Sequence, residues 1–154
     1  MTTHTERLAA LGLTLPPVTA PVAAYVPAVQ TGSYIYVSGQ VPVADGKVAA
    51  TGKVGAEVSA EDAAGLARIC ALNALAAAAN VAGGLDNIGR IVKVVGFVAS
   101  APGFNGQPQV INGASELLIE VLGEDGRHAR SAIGVAELPL NVPVEVELIA
   151  EVRA

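Results

Sequence analysis

Hydrophobic positions in this chain fall into short runs separated by Gly, Pro and polar clusters, and the length and make-up of each run predict an element. Short runs rich in β-branched and aromatic residues predict strands, and longer apolar runs at helical spacing predict helices. Strands are predicted at residues 24–29, 33–38 and 91–98, a hairpin at 43–48, helices at 59–82 and 108–122, and two last strands within 130–152. Ser59 is placed to cap the first long helix, and Gly83 to end it.

The order of these elements, β-β-(β)-α-β-α-β-β, predicts an α+β fold in which both helices cover one face of a mixed sheet. The other face would be bare, which favours an oligomer whose copies cover it. We assign residues 1–20 to an N-terminal arm with a short amphipathic turn or helix at residues 6–11. Residues 21–154 form a single domain.

Composition indicates what kind of core the protein has and where in the cell we expect it. Hydrophobic residues make up 52% of the chain and aromatic residues only 3%, so the core is expected to consist of small side chains. The longest apolar stretch, residues 69–83, is interrupted by Asn73 and Asn80 and falls short of the ~18 residues typical of a membrane span. Cys70 is the only cysteine, in a helical apolar run, and we expect it to be buried. The N-terminus lacks a secretory pattern, and we expect a cytoplasmic protein without membrane contact.

Charge and motifs exclude several kinds of chemistry. The net charge of −5 and scattered basic residues argue against broad nucleic-acid binding, which needs a basic footprint on the phosphates. His4, His128 and Cys70 do not form a cluster with metal-ligand spacing, and His128 is expected in a solvated loop. No phosphate-binding loop or dinucleotide fingerprint occurs, so we expect neither a metal nor a cofactor.

The last two strands carry the most informative residues. Arg130 opens an apolar strand, and the final strand places Glu145 and Glu147 on the face opposite Val144 and Val146. Because a short Leu-Pro turn joins the two strands, the guanidinium and a carboxylate are expected to be close in space. An arginine fork suits a carboxylate ligand. Alternatively, Arg130 forms an ion pair with Glu145 or Glu147 across the strands.

Four stretches of the chain resemble one family. The segment ARSAIGVAELPLNVPVEVELIAEV resembles the C-terminal signature of the Rid family, also called the YjgF family and formerly named for an endoribonuclease. Three more stretches match in order and spacing: the segment around Tyr25, Ser38-Gly39-Gln40-Val41-Pro42, and Val110-Ile111-Asn112. Together they cover residues 22–152, so the resemblance extends over nearly the whole chain.

The resemblance implies a chorismate-mutase-like fold, a homotrimer built around a barrel, and a cleft at each subunit interface. It implies hydrolysis of reactive enamines and imines, such as 2-aminoacrylate, to 2-keto acids and ammonia. Arg130 would bind the substrate carboxylate, and Glu145 would hold or polarise the attacking water. The residues expected to line the cleft and bind substrate are Tyr25, Ser38, Gly39, Asn112 and Ala132.

The sequence departs from the family pattern in three places. Many members have Cys where this chain has Ala132, which indicates a divergent subgroup. Ala23-Ala24 replaces Gly-Pro before the tyrosine, and the loop at residues 99–108 is longer than usual. Two other functions therefore stay open: a non-catalytic small-metabolite binder or regulator, and, less consistent with the acidic charge, an endoribonuclease.

Overall fold

A computed structural model describes residues 1–18 and 21–154 of the chain; Thr19 and Ala20, at the end of the predicted N-terminal arm, lie outside the described residues. The helices are α1 His4–Ala10, α2 Ala60–Ala82 and α3 Gln107–Leu122. The strands are β1 Ala28–Thr31, β2 Tyr34–Gln40, β3 Val43–Ala44, β4 Lys47–Val48, β5 Ile88–Ala99, β6 Ala129–Val135 and β7 Val144–Val152. Short 3-10 turns occupy residues 85–87, 123–126 and 139–141.

The main sheet has five strands in the order β1-β2-β7-β5-β6, and β3 and β4 form the predicted hairpin, which is separate from the main sheet. β5 and β6 are parallel, whereas the other neighbouring strands are antiparallel. The parallel pair is joined through α3, because parallel strands need a crossover connection. This mixed sheet with its long helices confirms the predicted α+β fold.

One face of the sheet packs against α2 and α3, and the alternation along β7 shows which face it is. Val144, Val146, Leu148 and Ala150 are buried, whereas the glutamates between them are only partly buried, as predicted. The face that carries Glu145 and Glu147 is called the bare sheet face below.

α2 has the ends that its sequence predicts. The Ser59 side chain accepts a hydrogen bond from the Asp62 amide at 3.0 Å, and Gly83 ends the helix with a left-handed φ of 82°. Cys70 lies fully buried in this helix, as predicted, and burial raises the pKa of its thiol. Within residues 1–18 and 21–154, α2 is the one helix long and apolar enough to cross a bilayer, so the expectation that no stretch reaches that length needs correction; 56% of its most apolar window is buried, as in a core helix.

Glycines let the helices approach closely. A methyl group at Gly96 of β5 would collide with the Ile111 side chain of α3, and one at Gly113 of α3 would collide with the backbone of Ala64 in α2. The core is consequently dense, although it contains few large side chains.

Two predicted boundaries need correction. β1 begins at Ala28 rather than Ala24, because Pro27 has no amide proton to donate and the preceding residues 22–25 bend. β5 begins at Ile88, since the 3-10 turn at residues 85–87 leads straight into the strand.

In the N-terminal arm, α1 packs against α3 with Leu8 buried. The boundary between arm and domain stays a prediction.

We expect Gly113→Ala to lower the free energy of unfolding by about 1–3 kcal/mol, because the added methyl group meets rigid backbone. Gly65→Ala is the matched control. Gly65 is a helical glycine in α2 with open space around it, so alanine should stabilise the protein by about 0.5–1 kcal/mol. Urea unfolding measures both. Equal effects of the two substitutions would show that the contact between α2 and α3 is not tight.

Candidate functional site

Arg130 lies near the start of β6 and reaches across to α3. Its Nη1 donates to Asn112 Oδ1 at 2.8 Å and to Ser115 Oγ at 3.2 Å, and its Nη2 donates to the Pro108 carbonyl at 3.5 Å. Arg130 pairs in register with Val94 of β5, which is fully buried on the helix side, so its side chain starts on that side of the sheet. The structure thus brings two of the predicted site residues, Arg130 and Asn112, into direct contact.

His128 and Ser115 extend this group. His128 Nε2 lies 2.9 Å from Ser115 Oγ, and its Nδ1 lies 2.6 Å from the Gly126 carbonyl oxygen. His128 lies in the loop before β6, as predicted, but its imidazole is half-buried, so the expectation that it is solvated was wrong. Burial, followed by the positive charge of Arg130, lowers the pKa of His128 against the opposing effect of the Gly126 carbonyl. We call Arg130, Asn112, Ser115 and His128 the Arg130 cluster.

The partners of Arg130 are all neutral acceptors. In the part of the chain that the structure describes, the ion pairs are Lys53–Glu137, Arg68–Glu120 and Arg127–Glu124. The alternative prediction of an ion pair between Arg130 and Glu145 or Glu147 within one chain is therefore wrong. A guanidinium whose charge is not neutralised, held in a fixed orientation, is suited to receive an anion.

Glu145 lies at the start of β7, beside the end of β2. A methyl group built on Gly39 would come within 2.7 Å of Glu145 Oε2, so the carboxyl group lies directly over this glycine. Burial raises the pKa of Glu145, and the negative charge of Glu147 raises it further. A half-buried carboxylate with a raised pKa has the proton affinity that a general base needs.

Arg130 and Glu145 are not close within one chain, which corrects the prediction drawn from the short turn between their strands. β5 lies between β6 and β7, so the two strands are separated by two strand spacings, about 10 Å. Glu145 pairs with Phe97, an odd number of positions along the strands from the buried Val94–Leu148 pair. Because side chains alternate between the two faces of a sheet, the Glu145 side chain starts on the bare sheet face. One chain presents the two groups on opposite faces of its sheet.

The other predicted site residues divide between these two locations. Ser38 Oγ donates to the Val26 carbonyl at 2.7 Å and ties the bend that carries Tyr25 to β2, next to Gly39. Tyr25 itself is 57% exposed. Ala132 lies on β6 two residues after Arg130, on the outer strand of the sheet, and pairs with Gly96.

The bare sheet face carries exposed apolar side chains. Val29, Tyr34, Tyr36 and Ile133 are 41–52% exposed there. A depression of about 310 Å³ opens on this face, with Tyr36, Ser38, Lys93 and Glu147 in its wall. An apolar face of this kind is typical of an interface.

Ser115 and His128 are site residues that the sequence analysis missed, and each had a signal. Ser115 follows Asn112 by three positions, so the two share one side of a helix. His128 precedes Arg130 by two positions, which places both on one side of an extended segment.

Comparison with known proteins agrees with this architecture. The sequence profile of the family described as "YjgF/chorismate mutase-like, putative endoribonuclease" matches residues 5–152. Protein TCP17 of Trypanosoma cruzi is 42% identical over 144 residues, which are 93% of this chain and 90% of that protein. The crystal structure of Atu1372 from Agrobacterium tumefaciens has a TM-score of 0.90 and 48% identity, and covers 97% of this chain and 92% of its own.

A further solved structure, E. coli TdcF with bound serine, is 27% identical with a TM-score of 0.65. That match covers 89% of this chain and 94% of the TdcF chain. These matches agree with the resemblance that the four sequence stretches indicated. On the extent of the profile match and the identity to TCP17, the chain belongs to the YjgF/chorismate-mutase-like family.

Proposed function

We propose that this protein hydrolyses reactive enamines and imines of the 2-aminoacrylate type to 2-keto acids and ammonia. The observation that carries the proposal is the state of Arg130, whose guanidinium is held by neutral acceptors and keeps its charge for an anionic ligand. Every imine derived from an amino acid carries a carboxylate beside its electrophilic carbon. Bidentate binding of that carboxylate would fix the carbon in place.

The reaction needs one water molecule and one group that moves a proton. The enamine of 2-aminoacrylate tautomerises to the imine, whose carbon then forms a bond with the water oxygen while the C=N electron pair moves to nitrogen. Glu145 accepts the proton that water releases and returns it to the nitrogen, which gives a carbinolamine. Glu145 then takes the hydroxyl proton of this intermediate and delivers it to the amino nitrogen, so that the C=O bond forms as the C–N bond breaks and pyruvate and ammonia are released. General base catalysis of this kind contributes typically about 10²–10⁴-fold.

A site that uses both Arg130 and Glu145 requires a second copy of the chain, because one copy holds them on opposite faces of its sheet. The exposed apolar side chains of the bare sheet face support such an assembly, and a homotrimer is what the family resemblance implies. In the cleft we propose, Asn112 and Ala132 contribute with Arg130 from one subunit. Tyr25, Ser38 and Gly39 contribute with Glu145 from its neighbour.

The TdcF structure supports a ligand of this size. Serine carries a carboxylate and a nitrogen on the neighbouring carbon, the same two groups that an amino-acid-derived imine presents. The family description names endoribonuclease activity, but the net charge of −5 gives this chain little attraction for phosphates. A metabolite-binding protein without turnover would use the same pocket, and the assay below separates it from an enzyme.

The test generates 2-aminoacrylate in situ with a pyridoxal-phosphate-dependent lyase and follows pyruvate release with and without the protein. We expect release faster than the spontaneous reaction. Arg130→Lys should lower kcat/KM by about 10–100-fold, because lysine keeps the charge but loses the planar fork. Arg127→Lys, a change three residues away in a surface ion pair, is the matched control and should leave the rate unchanged.

Pyruvate binding without accelerated release would identify a metabolite-binding protein. Full activity of Arg130→Lys would refute the carboxylate clamp. A monomer mass in light scattering at micromolar protein would refute the shared cleft. RNA cleavage that survives high salt and disappears with one substitution would instead favour the nuclease.

Gly39→Ala tests the placement of Glu145. The added methyl group would lie 2.7 Å from Oε2 and 2.9 Å from Cδ, so the carboxyl group must move. Because the carboxyl end of the side chain is flexible, the free energy of unfolding should change little. Turnover should fall by up to about 10²-fold, the effect of misplacing a reacting group by roughly 1 Å. Gly65→Ala, which faces open space, should leave turnover at the parental value. Parental turnover in Gly39→Ala would mean that Glu145 has no catalytic role.

The raised pKa of Glu145 predicts a pH dependence of stability. The folded chain binds this proton more tightly than the unfolded chain, so the contribution of Glu145 to stability is full at low pH and is lost as pH rises through the folded-state pKa. Glu145→Gln should therefore stabilise the protein at pH 8, and this gain should shrink as pH falls through the folded-state pKa and be lost below about pH 4.3, the ordinary pKa of glutamate. Urea unfolding at both pH values measures it, with Glu151→Gln on the same strand as control. A gain that is the same at both pH values would contradict the predicted pKa shift.

A further inference from the structure

Hydrogen-bond chemistry fixes the protons of the Arg130 cluster. The Gly126 carbonyl oxygen only accepts, so the His128 Nδ1 atom 2.6 Å away carries a proton and donates it. In the neutral imidazole Nε2 is then an acceptor, and the Ser115 hydroxyl 2.9 Å away donates to it. The lone pairs of Ser115 Oγ are left to accept from Arg130 Nη1 at 3.2 Å. The chain of donors therefore runs from Arg130 through Ser115 and His128 to Gly126.

The surroundings of His128 favour this neutral form. The ring is half-buried, Ser115 is only 9% exposed, and the charge of Arg130 opposes a second positive charge nearby. The charged groups on adjoining elements are engaged elsewhere. Arg127 pairs with Glu124 at 3.0 Å, and Arg90 of β5 donates to the Arg127 carbonyl at 3.5 Å. Within residues 1–18 and 21–154 no carboxylate forms an ion pair with the imidazole.

We propose that His128 is a positioning residue for Arg130: acting through Ser115, it keeps the guanidinium in the orientation that receives the substrate carboxylate. The proposal rests on the proposed function insofar as Arg130 binds a carboxylate. It adds to that function a residue that makes no contact with the substrate. The effect of this residue should be on substrate binding, not on the chemical step.

The need for His128 follows from the nature of a hydroxyl group. Ser115 both donates and accepts, and its proton rotates freely unless an acceptor holds it. Without His128 Nε2, no acceptor holds the hydroxyl proton, which is then free to turn toward Arg130 Nη1 at 3.2 Å and oppose that hydrogen bond. The long arginine side chain would then lose its fixed orientation. Ordering it again when the ligand binds would cost conformational entropy and lower the affinity.

The experiment separates the acceptor from the bulk of the ring. His128→Gln retains a side-chain oxygen that accepts from Ser115, whereas His128→Phe retains a planar ring without an acceptor. KM and kcat for 2-aminoacrylate are measured for both, and for Ser115→Ala. We expect His128→Phe and Ser115→Ala to raise KM about tenfold, the effect of losing one hydrogen bond to a charged group, with kcat little changed. His128→Gln should remain close to the parent.

Introducing His128→Phe into Arg130→Lys should give no further rise in KM, since the group that His128 positions is already gone. Equal KM for His128→Gln and His128→Phe, an unchanged KM in both, or an additive effect in the double variant would each overturn the proposal.

Calorimetric titration with pyruvate, a stable carboxylate, distinguishes failure of this proposal from failure of the proposed function. A parent protein that binds pyruvate but does not hydrolyse 2-aminoacrylate refutes the hydrolase, and the Kd values of the same variants still decide the role of His128. A parent protein that does not bind pyruvate and does not hydrolyse 2-aminoacrylate refutes both proposals.

Discussion

The close approach of α3 to the sheet and to α2 is the constraint on which the Arg130 cluster depends. Gly96 admits Ile111 against β5, and Gly113 admits the backbone of α2. Asn112 lies between Ile111 and Gly113 in sequence, and Ser115 follows three residues later, about one helical turn along α3. Hydrogen bonds of 2.8 and 3.2 Å to Arg130 require α3 at this distance, because a larger residue at either glycine would push the helix away. Packing that looks unrelated to function therefore sets the geometry of the candidate site.

Local patterns were enough to predict most elements. The cap at Ser59, the left-handed glycine at Gly83 and the alternation along β7 are all consequences of neighbouring residues, and the structure has each of them. The start of β1 differs from the prediction for an equally local reason, since Pro27 has no amide proton to donate to a neighbouring strand. Boundaries of this kind are the least certain part of any prediction from sequence.

The expected proximity of Arg130 and Glu145 was wrong, and the cause is physical. Consecutive strands are neighbours only about two-thirds of the time, so a short turn between β6 and β7 does not require the two strands to be adjacent. The chain contained the opposite signal, because β5, α3 and β6 form a strand-helix-strand unit of the kind that makes parallel pairs. That unit places β6 beside β5 and separates Arg130 from Glu145.

The separation changes what the chemistry requires. If the Arg130 guanidinium lay beside the Glu145 carboxylate in one chain, the two charges would neutralise each other. The ligand carboxylate would then have to displace an ion pair before binding. Within one chain, Arg130 lies on the helix side and its guanidinium has only neutral acceptors. Glu145 starts on the bare sheet face, and its pKa is raised. In the shared cleft proposed above, the two groups would meet only where two copies assemble. The strand β5 between them is therefore what makes a site that uses both groups depend on a second copy of the chain.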